Sequence, residues 1–412
     1  MPQKIIIDTD PGVDDVLAIL LGLSSPEVDL ALISIVFGNT HAPIAHSNLL
    51  KIYHLLAQEV VQIPGAEARY QRLKSQSKTV LALGEDGPIS GEKAVAAYFH
   101  GPDGLSNISE THPQFTPPEF KSGAIHDHLE ISSKPSHEVI LDILCEEPED
   151  SVTIVALGPL TNIAHALRSN AKTFFKVSRI IWMGGAFNRP GNVSPVAEFN
   201  CFADPYAAAT VLDAVRAGQI EMIMAPLDIT IPHLIPFSDL IHPSVVPIPD
   251  TNGLVKQKPE PTPLEAFISA MLVRVRGLQA SFGLPDAMEM HDPVAVWFAI
   301  AHASTRRLSP PAPGWTLTPQ EFQIERNGEF TRGMCVVDRR GTGETGVDRS
   351  KNDKILSQGL TNDDSLPSKN EEVDRMDEQL PTNKPLPLVI TQTPGVSELR
   401  RLLLSRVFGT QP

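Results

Sequence analysis

Basic residues are scarce in this chain: 34 Lys and Arg stand against 49 Asp and Glu, a formal net charge of −15 over 412 residues. Nucleic-acid binding draws most of its affinity from clustered Lys and Arg, so this balance argues against a polyanion partner and suits a small neutral substrate or a cation. Cysteine is sparse too. Cys145, Cys201 and Cys335 lie far apart without metal-ligand spacing, which makes no disulfide framework and fits a reducing compartment. Long hydrophobic runs are missing: no window approaches the roughly 18 apolar residues that a membrane-spanning helix needs. The N-terminal MPQKIIIDTD runs straight into a strand-like segment, with no charged region, apolar stretch and cleavage site of a secretory signal. A cytoplasmic protein without membrane association is expected.

The chain does have apolar residues, 42% of the total, enough to bury a large core. Short β-branched runs read as buried strands: KIIID (4–8), LALISIVFGN (30–39), SVTIVALG (151–158), SRIIWMGG (178–185) and IEMIMAPLD (220–228). Between them DDVLAILLGLSS, AHSNLLKIYHLLAQ, LTNIAHALRSN and DPYAAATVLDAVRAG carry the i, i+3, i+4 spacing of helices packed on a sheet. This alternation predicts an α/β fold, a doubly wound, mostly parallel open sheet flanked by helices. Ligands of such folds collect at the carboxyl ends of the strands, so motifs there carry the functional weight.

Residues 106–134 and 241–263 are rich in Pro, Ser and His with little periodicity, and read as long surface loops. Residues 341–385 are polar, aromatic-free and rich in Asp, Glu, Lys, Ser and Asn; such a segment cannot bury enough apolar surface to offset its ordering entropy and reads as a disordered acidic insert. LPLVI and SELRRLLLSRVF then predict a strand and a helix within 386–412. No internal repeat is visible, and the expectation is one catalytic domain over 1–340, completed by that C-terminal strand and helix.

The densest charge lies in DTDPGVDD, where Asp8, Asp10, Asp14 and Asp15 fall within eight residues. Pro11 and Gly12 make a turn, and Val13, Val16, Leu17, Ile19 and Leu20 supply the buried face of the next helix. Asp14 and Asp15, in its first turn, could simply complement the helix dipole. Asp8 and Asp10 lie at the end of a buried strand, where desolvation disfavours charge. Carboxylates crowded there need a cation among them or must share protons. With no cysteine or paired histidine nearby in sequence, a hard oxygen-ligated ion such as calcium suits the turn better than zinc.

DTDPGVDD resembles the N-terminal hallmark of the nucleoside hydrolases, the inosine-uridine preferring nucleoside N-ribohydrolase family. It is joined in that family's order by FGN (37–39), HGPDGL (100–105), LGPLTN (157–162), WMGGAF (182–187), GNVSPVAEFN (191–200) and HDPVAVW (291–297), with TRGMCVVD (331–338) similar to a late strand. The resemblance implies a Ca2+ held by Asp10, Asp15, a backbone carbonyl near Leu157 and Asp292. It implies Asp10 as the base that activates a water, and Asp14, Asn39, Asn200 and Asp292 on the 2'- and 3'-hydroxyls of a ribose. Asn192 and Glu198 resemble the 5'-hydroxyl contacts, with Met183 packing nearby. His291 stands where members accepting pyrimidines carry a general acid for the leaving base, a role suited to a side chain that titrates near neutrality. A small-molecule nucleoside of the uridine or inosine kind is the implied substrate, and a dimer or tetramer the implied assembly.

Two other functions are compatible with parts of the pattern. IIIDTDPG also looks like the strand and DxD of a haloacid-dehalogenase-type phosphatase, with Asp8 as nucleophile, although no convincing Lys or late paired-Asp loop accompanies it. A non-catalytic relative, or one acting on a modified ribosyl compound, would keep the fold. Asp8 has no settled role in this reading, and His100 is expected to shape a loop over the site.

Overall fold

The computed structural model describes residues 2–74, 77–118, 126–249, 252–255, 258–305, 308, 310–340 and 385–410. The expected disordered insert lies almost wholly outside the described residues. At the centre is a nine-stranded sheet whose order can be followed once its strands are defined. These are β1 (Gln3–Thr9), β2 (Val28–Ile35), β3 (Thr79–Leu83), β4 (Leu129–Ile131), β5 (Val152–Ala156), β6 (Arg179–Met183) and β7 (Met222–Ala225). The later strands are β8 (Leu234–Pro236), β9 (Ala287–Glu289), β10 (Thr316–Pro319), β11 (Gln323–Ile324), β12 (Cys335–Val336) and β13 (Leu388–Gln392). The large sheet runs β10-β13-β7-β6-β5-β1-β2-β3-β4, while β8 with β9 and β11 with β12 form two small antiparallel pairs. Within the large sheet every neighbouring pair is parallel except β10 with β13.

The isoleucines of β1 show why the strand sits in the middle. Ile5, Ile6 and Ile7 are fully buried, as expected of a parallel strand covered on both faces. Side chains alternate across the pleat, so Ile5 and Ile7 join one apolar cluster and Ile6 the other. The first cluster is closed by helices Val13–Leu23, Pro263–Ser281, His291–Ala301 and Val396–Val407; the second by Ser136–Glu146, Thr161–Ser169 and Pro205–Arg216. At about 1.5–3 kcal/mol per fully buried aliphatic side chain, these two layers hold the sheet between them.

Strand order reverses between β1 and β5, where chains leave β1 in opposite directions. That is the crevice where open parallel sheets place ligands, and the DTDPGVDD turn leaves β1 at that point. The stretch 106–134 is more ordered than its composition suggests: helical turns Ile108–Thr111 and Pro113–Phe115 and the edge strand β4 occupy described parts of it. A three-residue strand and single turns are too short to show periodicity. Between 241 and 263 the described residues form no helix or named strand, only a bridge between Pro249 and Val255. The predicted C-terminal strand and helix are present, and β13 inserts beside β7.

Candidate active site

Gly12 starts the helix after β1, and Asp15 reaches back to accept its N–H at 3.0 Å while also accepting the Thr9 hydroxyl at 2.5 Å. The turn has no spare room. A Cβ on Gly12 would lie 2.6 Å from both Asn39 Nδ2 and His100 Nδ1, so only glycine lets FGN and HGPDGL close over the turn. Asn39 ties the two metal-candidate aspartates together: its backbone N–H donates to Asp10 Oδ2 at 2.6 Å and its side-chain amide to Asp15 Oδ2 at 2.8 Å. Asp292, in the first turn of helix His291–Ala301, comes from the far end of the sequence to join them because that helix packs against Val13–Leu23.

Asp14, Asp15 and Asp292 each offer a carboxylate oxygen within 4.8 Å of one another, and all three are buried. Asp10 stands outside that trio by this measure, yet is 1% exposed with Oδ1 lacking any hydrogen-bond partner. Burial pushes all four carboxyls above the usual carboxylate range, and mutual repulsion adds to it: Asp15 and Asp14 raise Asp10, burial with Asp15 takes Asp14 to about 7, and Asp14, Asp15 and Asp10 together raise Asp292. An unpartnered buried oxygen beside three clustered carboxylates is a donor set that fits a hard divalent cation. A dipole-complementing role for Asp14 and Asp15 does not explain their convergence with Asp292.

Asp8 has a different job. Its Oδ1 accepts from the Ser34 hydroxyl and, at 2.8 Å, from Asn162 Nδ2, binding β1 to β2 and to the Thr161–Ser169 helix. Burial lifts its carboxyl to about 7 against those two hydrogen bonds. It is fully buried, and its Oδ1 is spent on holding β2 and the helix to β1, an anchoring role that the phosphatase reading does not use.

A cavity of about 230 Å3 opens over the carboxylates, a scale suited to a small molecule. Asp14, Asn39, Leu157, Met183, Asn192, Glu198, Asn200, His291 and Asp292 all line it, so the sequence-derived site residues apart from Asp10 and Asp15 converge on one space. Asn200 donates to the carbonyls of Leu157 at 2.7 Å and Met183 at 3.0 Å. Glu198 caps the Phe199–Ala203 helix, with Oε1 accepting Asn200 N–H at 2.7 Å and Oε2 accepting the N–H groups of Gly185 at 2.9 Å and Cys201 at 3.0 Å. Asn192 in turn accepts the Phe199 N–H at 2.9 Å. These two residues therefore build the strand-end turn as well as lining the cavity.

His291 has both ring nitrogens engaged, Nδ1 with the Thr230 hydroxyl at 2.9 Å and Nε2 with Glu289 at 3.0 Å. Burial alone would lower its pKa, but the Glu289 hydrogen bond and charge, with Asp14 and Glu198, outweigh it and raise the value. His100 goes the other way: burial drives it to about 3, so the neutral ring accepts the Val13 N–H through Nδ1 at 3.2 Å. Thr230, Glu289 and the structural roles of Asn162 and Ser34 escaped the sequence reading. Only Glu289, two residues before HDP, had a positional hint.

The family model for the inosine-uridine preferring nucleoside hydrolase matches residues 5–364. A non-specific ribonucleoside hydrolase RihC of Escherichia fergusonii is 31% identical over 345 residues, 83% of this chain and 90% of the relative. The inosine-uridine preferring nucleoside hydrolase of Leishmania major is 29% identical over 343 residues, 82% of this chain and 89% of that protein. Among solved structures an inosine-guanosine nucleoside hydrolase superposes with a TM-score of 0.69 at 23% identity, covering 99% of both chains, which shows a shared fold.

Proposed function

We propose a reaction from the premise that this chain belongs to the inosine-uridine preferring nucleoside hydrolase family, and is therefore an enzyme that hydrolyses the N-glycosidic bond of ribonucleosides. The substrates are uridine- or inosine-like, and the products free base and ribose. The observation that carries the reading is the buried trio Asp14, Asp15 and Asp292 with the unpartnered Asp10 Oδ1 beside it, of which Asp14 and Asp292 line a small-molecule cavity.

In this reading Asp10, Asp15, Asp292 and the Leu157 carbonyl would hold a Ca2+, which would neutralise the carboxylates and make a neighbouring water easier to deprotonate. Asp10 takes the proton of the attacking water at Oδ1, the one oxygen of its carboxylate not already committed to Asn39. Asp14, Asn39, Asn200 and Asp292 grip the 2'- and 3'-hydroxyls, while Asn192 and Glu198 meet the 5'-hydroxyl beside Met183. Positive charge developing on the sugar ring in the oxocarbenium-like transition state is stabilised by these fixed carboxylates. Water attacks C1', the C1'–N bond breaks, and the electron pair leaves with the base. His291 protonates that base and is poised for it by Glu289, although its Nε2 must exchange that partner for the substrate.

Purified protein assayed for reducing sugar tests the reading. Ribose appears from inosine or uridine, disappears on chelation and returns with added calcium. Phosphate release from p-nitrophenyl phosphate without ribose release from any nucleoside overturns it. A homodimer or homotetramer is the assembly this reading implies, which light scattering tests, and the three free cysteines support a reducing cytoplasmic setting. Among the described residues no helix is long and apolar enough to cross a membrane.

A further inference from the structure

Behind the DTDPGVDD turn lies a buried polar cluster that the proposed reaction does not use. Asn48 sits on the helix Ala42–Gln62 and is fully buried. Its side-chain amide donates to two carbonyls, that of Pro11 at 3.1 Å and that of Asp103 at 2.7 Å. The first belongs to the turn and the second to HGPDGL. Lys51, three residues further along the helix and 5% exposed, donates from Nζ to Asn48 Oδ1 at 3.1 Å and to the Ser109 hydroxyl at 2.6 Å. A carbonyl can only accept and an ammonium can only donate, so these partners settle which way round the amide lies. Burying an ammonium is costly, and this one is spent on orienting a single asparagine.

The loop that Asn48 holds is strained. Ser106 and Asn107 both adopt left-handed backbone, with φ of 63° and 65°, which persists in residues other than glycine only where the surroundings impose it. Asp103 imposes it here: Oδ1 accepts the N–H groups of Leu105 at 2.9 Å and Asn107 at 2.7 Å, and Oδ2 accepts that of Ser109 at 2.8 Å. The loop carries His100 to the cavity wall. Because the Val13 N–H can only donate, the His100 Nδ1 that meets it at 3.2 Å carries no hydrogen, and the ring hydrogen of the neutral imidazole sits on Nε2. Turn and loop are therefore joined twice. His100 meets Val13 directly, while Pro11, two residues before Val13, and Asp103, three residues after His100, are bridged by the one amide of Asn48.

We propose that Asn48 and Lys51 are positioning residues for the reaction: the amide sets the separation of turn and loop, the ammonium holds the amide, and together they keep the His100 ring in one tautomer and one place on the cavity wall. The catalytic consequence rests on the nucleosidase reading, and the placement of the ring does not. A misplacement of about 1 Å can cost about 10^2-fold in rate, so a strut of this kind acts on turnover from outside the cavity.

Two measurements on the full chain, with calcium added, test it. Nitrogen NMR of protein labelled in its histidine rings reads His100 directly, its signals being assigned by their loss in His100→Gln. The wild type is expected to show the two well-separated shifts of a single tautomer. Lys51→Met keeps the aliphatic stem and removes both donations, and Asn48→Asp keeps the size and removes the donors; in each the two shifts should move toward the average of exchanging tautomers. Steady-state kinetics with inosine, uridine and p-nitrophenyl riboside, well below the melting temperature, give the second readout. Lys51→Met is expected to lower kcat by about ten-fold and Asn48→Asp by about 10^2-fold, with KM within about two-fold of the wild type. In a His100→Gln background Lys51→Met should cost less than about two-fold more, because residues acting through one group are not additive. Should Asn48→Asp fail to fold, Lys51→Met carries the test alone. Unmoved His100 signals in the variants overturn the inference, and so does a kcat loss from Lys51→Met that is equal with and without the His100 side chain. A lower melting temperature with wild-type kcat overturns it as well, since the strut would then only pack the loop. If the wild type releases no ribose from any of the three substrates, it is the nucleosidase reading that fails, while the ring signals still decide whether the strut places His100.

Discussion

The two ends of the cavity are built on different principles. The carboxylate end stands on the termini of β1, β5 and β6 and is wired to the backbone: Asp10 to the Asn39 N–H, Asp15 to Gly12, Glu198 to Gly185, Asn200 and Cys201. The far end is assembled from the end of a helix, the short β9 and apolar side chains with large exposed areas, and holds the buried Gln279 side-chain oxygen, which has no hydrogen-bond partner among the described residues. Groups held by several backbone bonds cannot adjust to different ligands, which suits the first end to the reaction proposed for it. Loosely committed groups on late elements can change without disturbing the sheet.

The largest effect should come from breaking the rigid end. Asp10→Ala is expected to reduce ribose release by about 10^3-fold or more, at the upper part of the range for a lost general base, and to weaken calcium binding in a titration calorimeter. Turnover unchanged in that variant after chelation would show that the carboxylate floor is not the reacting end. Next in size is His291→Ala, where the two ends meet. It should cost about 10^2-fold with inosine and distinctly less with p-nitrophenyl riboside, whose leaving group needs little protonation. Equal losses on both substrates would remove the acid role and leave His291 as a positioning residue.

Glu198→Ala probes the wiring. Three backbone N–H groups lose their acceptor, which should lower stability by about 1–3 kcal/mol in a denaturant melt and release Asn200 from its place. A variant as stable as the wild type would mean that water replaces the carboxylate freely, and that the end is less rigid than described.

The smallest effect serves as a baseline outside both ends. Arg406 of the C-terminal helix pairs with Glu27 through two hydrogen bonds of 2.7 Å. Burial works to raise Glu27, but the Arg406 bonds and charge win and leave its pKa below the ordinary 4.5. A depressed acid stabilises the fold above its unfolded value and loses that contribution as pH falls through the folded one. The pair is solvent-screened, so Arg406→Ala should cost about 0.5 kcal/mol at neutral pH, and the melting difference should close once Glu27 is protonated in acid. Ribose release should stay at the wild-type level, and a loss there would tie the C-terminal helix to the site.

Local chemistry made much of this legible. Buried isoleucine runs mark parallel strands, and four aspartates in one turn demand a neutralising partner whatever the rest of the chain does. The stretch around 106–134 misleads because a three-residue edge strand has no periodicity to read. Thr230 is a plain threonine in sequence and becomes a partner of His291 only through the fold, and Asn162 looks like an ordinary first-turn residue until Asp8 and Ser34 are placed beside it.

What the sequence by itself determined is the alternation of strands and helices and the concentration of charge after β1, because apolar periodicity and local crowding are properties of adjacent residues. What only the tertiary structure decided is which charges meet. Asp292 reaches Asp14 and Asp15 because two helices pack on one face of the sheet, Asp8 is diverted into holding strands together, and the Gln279 side-chain oxygen is left on a cavity wall without a partner among the described residues. Those outcomes depend on contacts between residues hundreds of positions apart, and a hydrogen bond that is satisfied or left open is a property of the folded space around it.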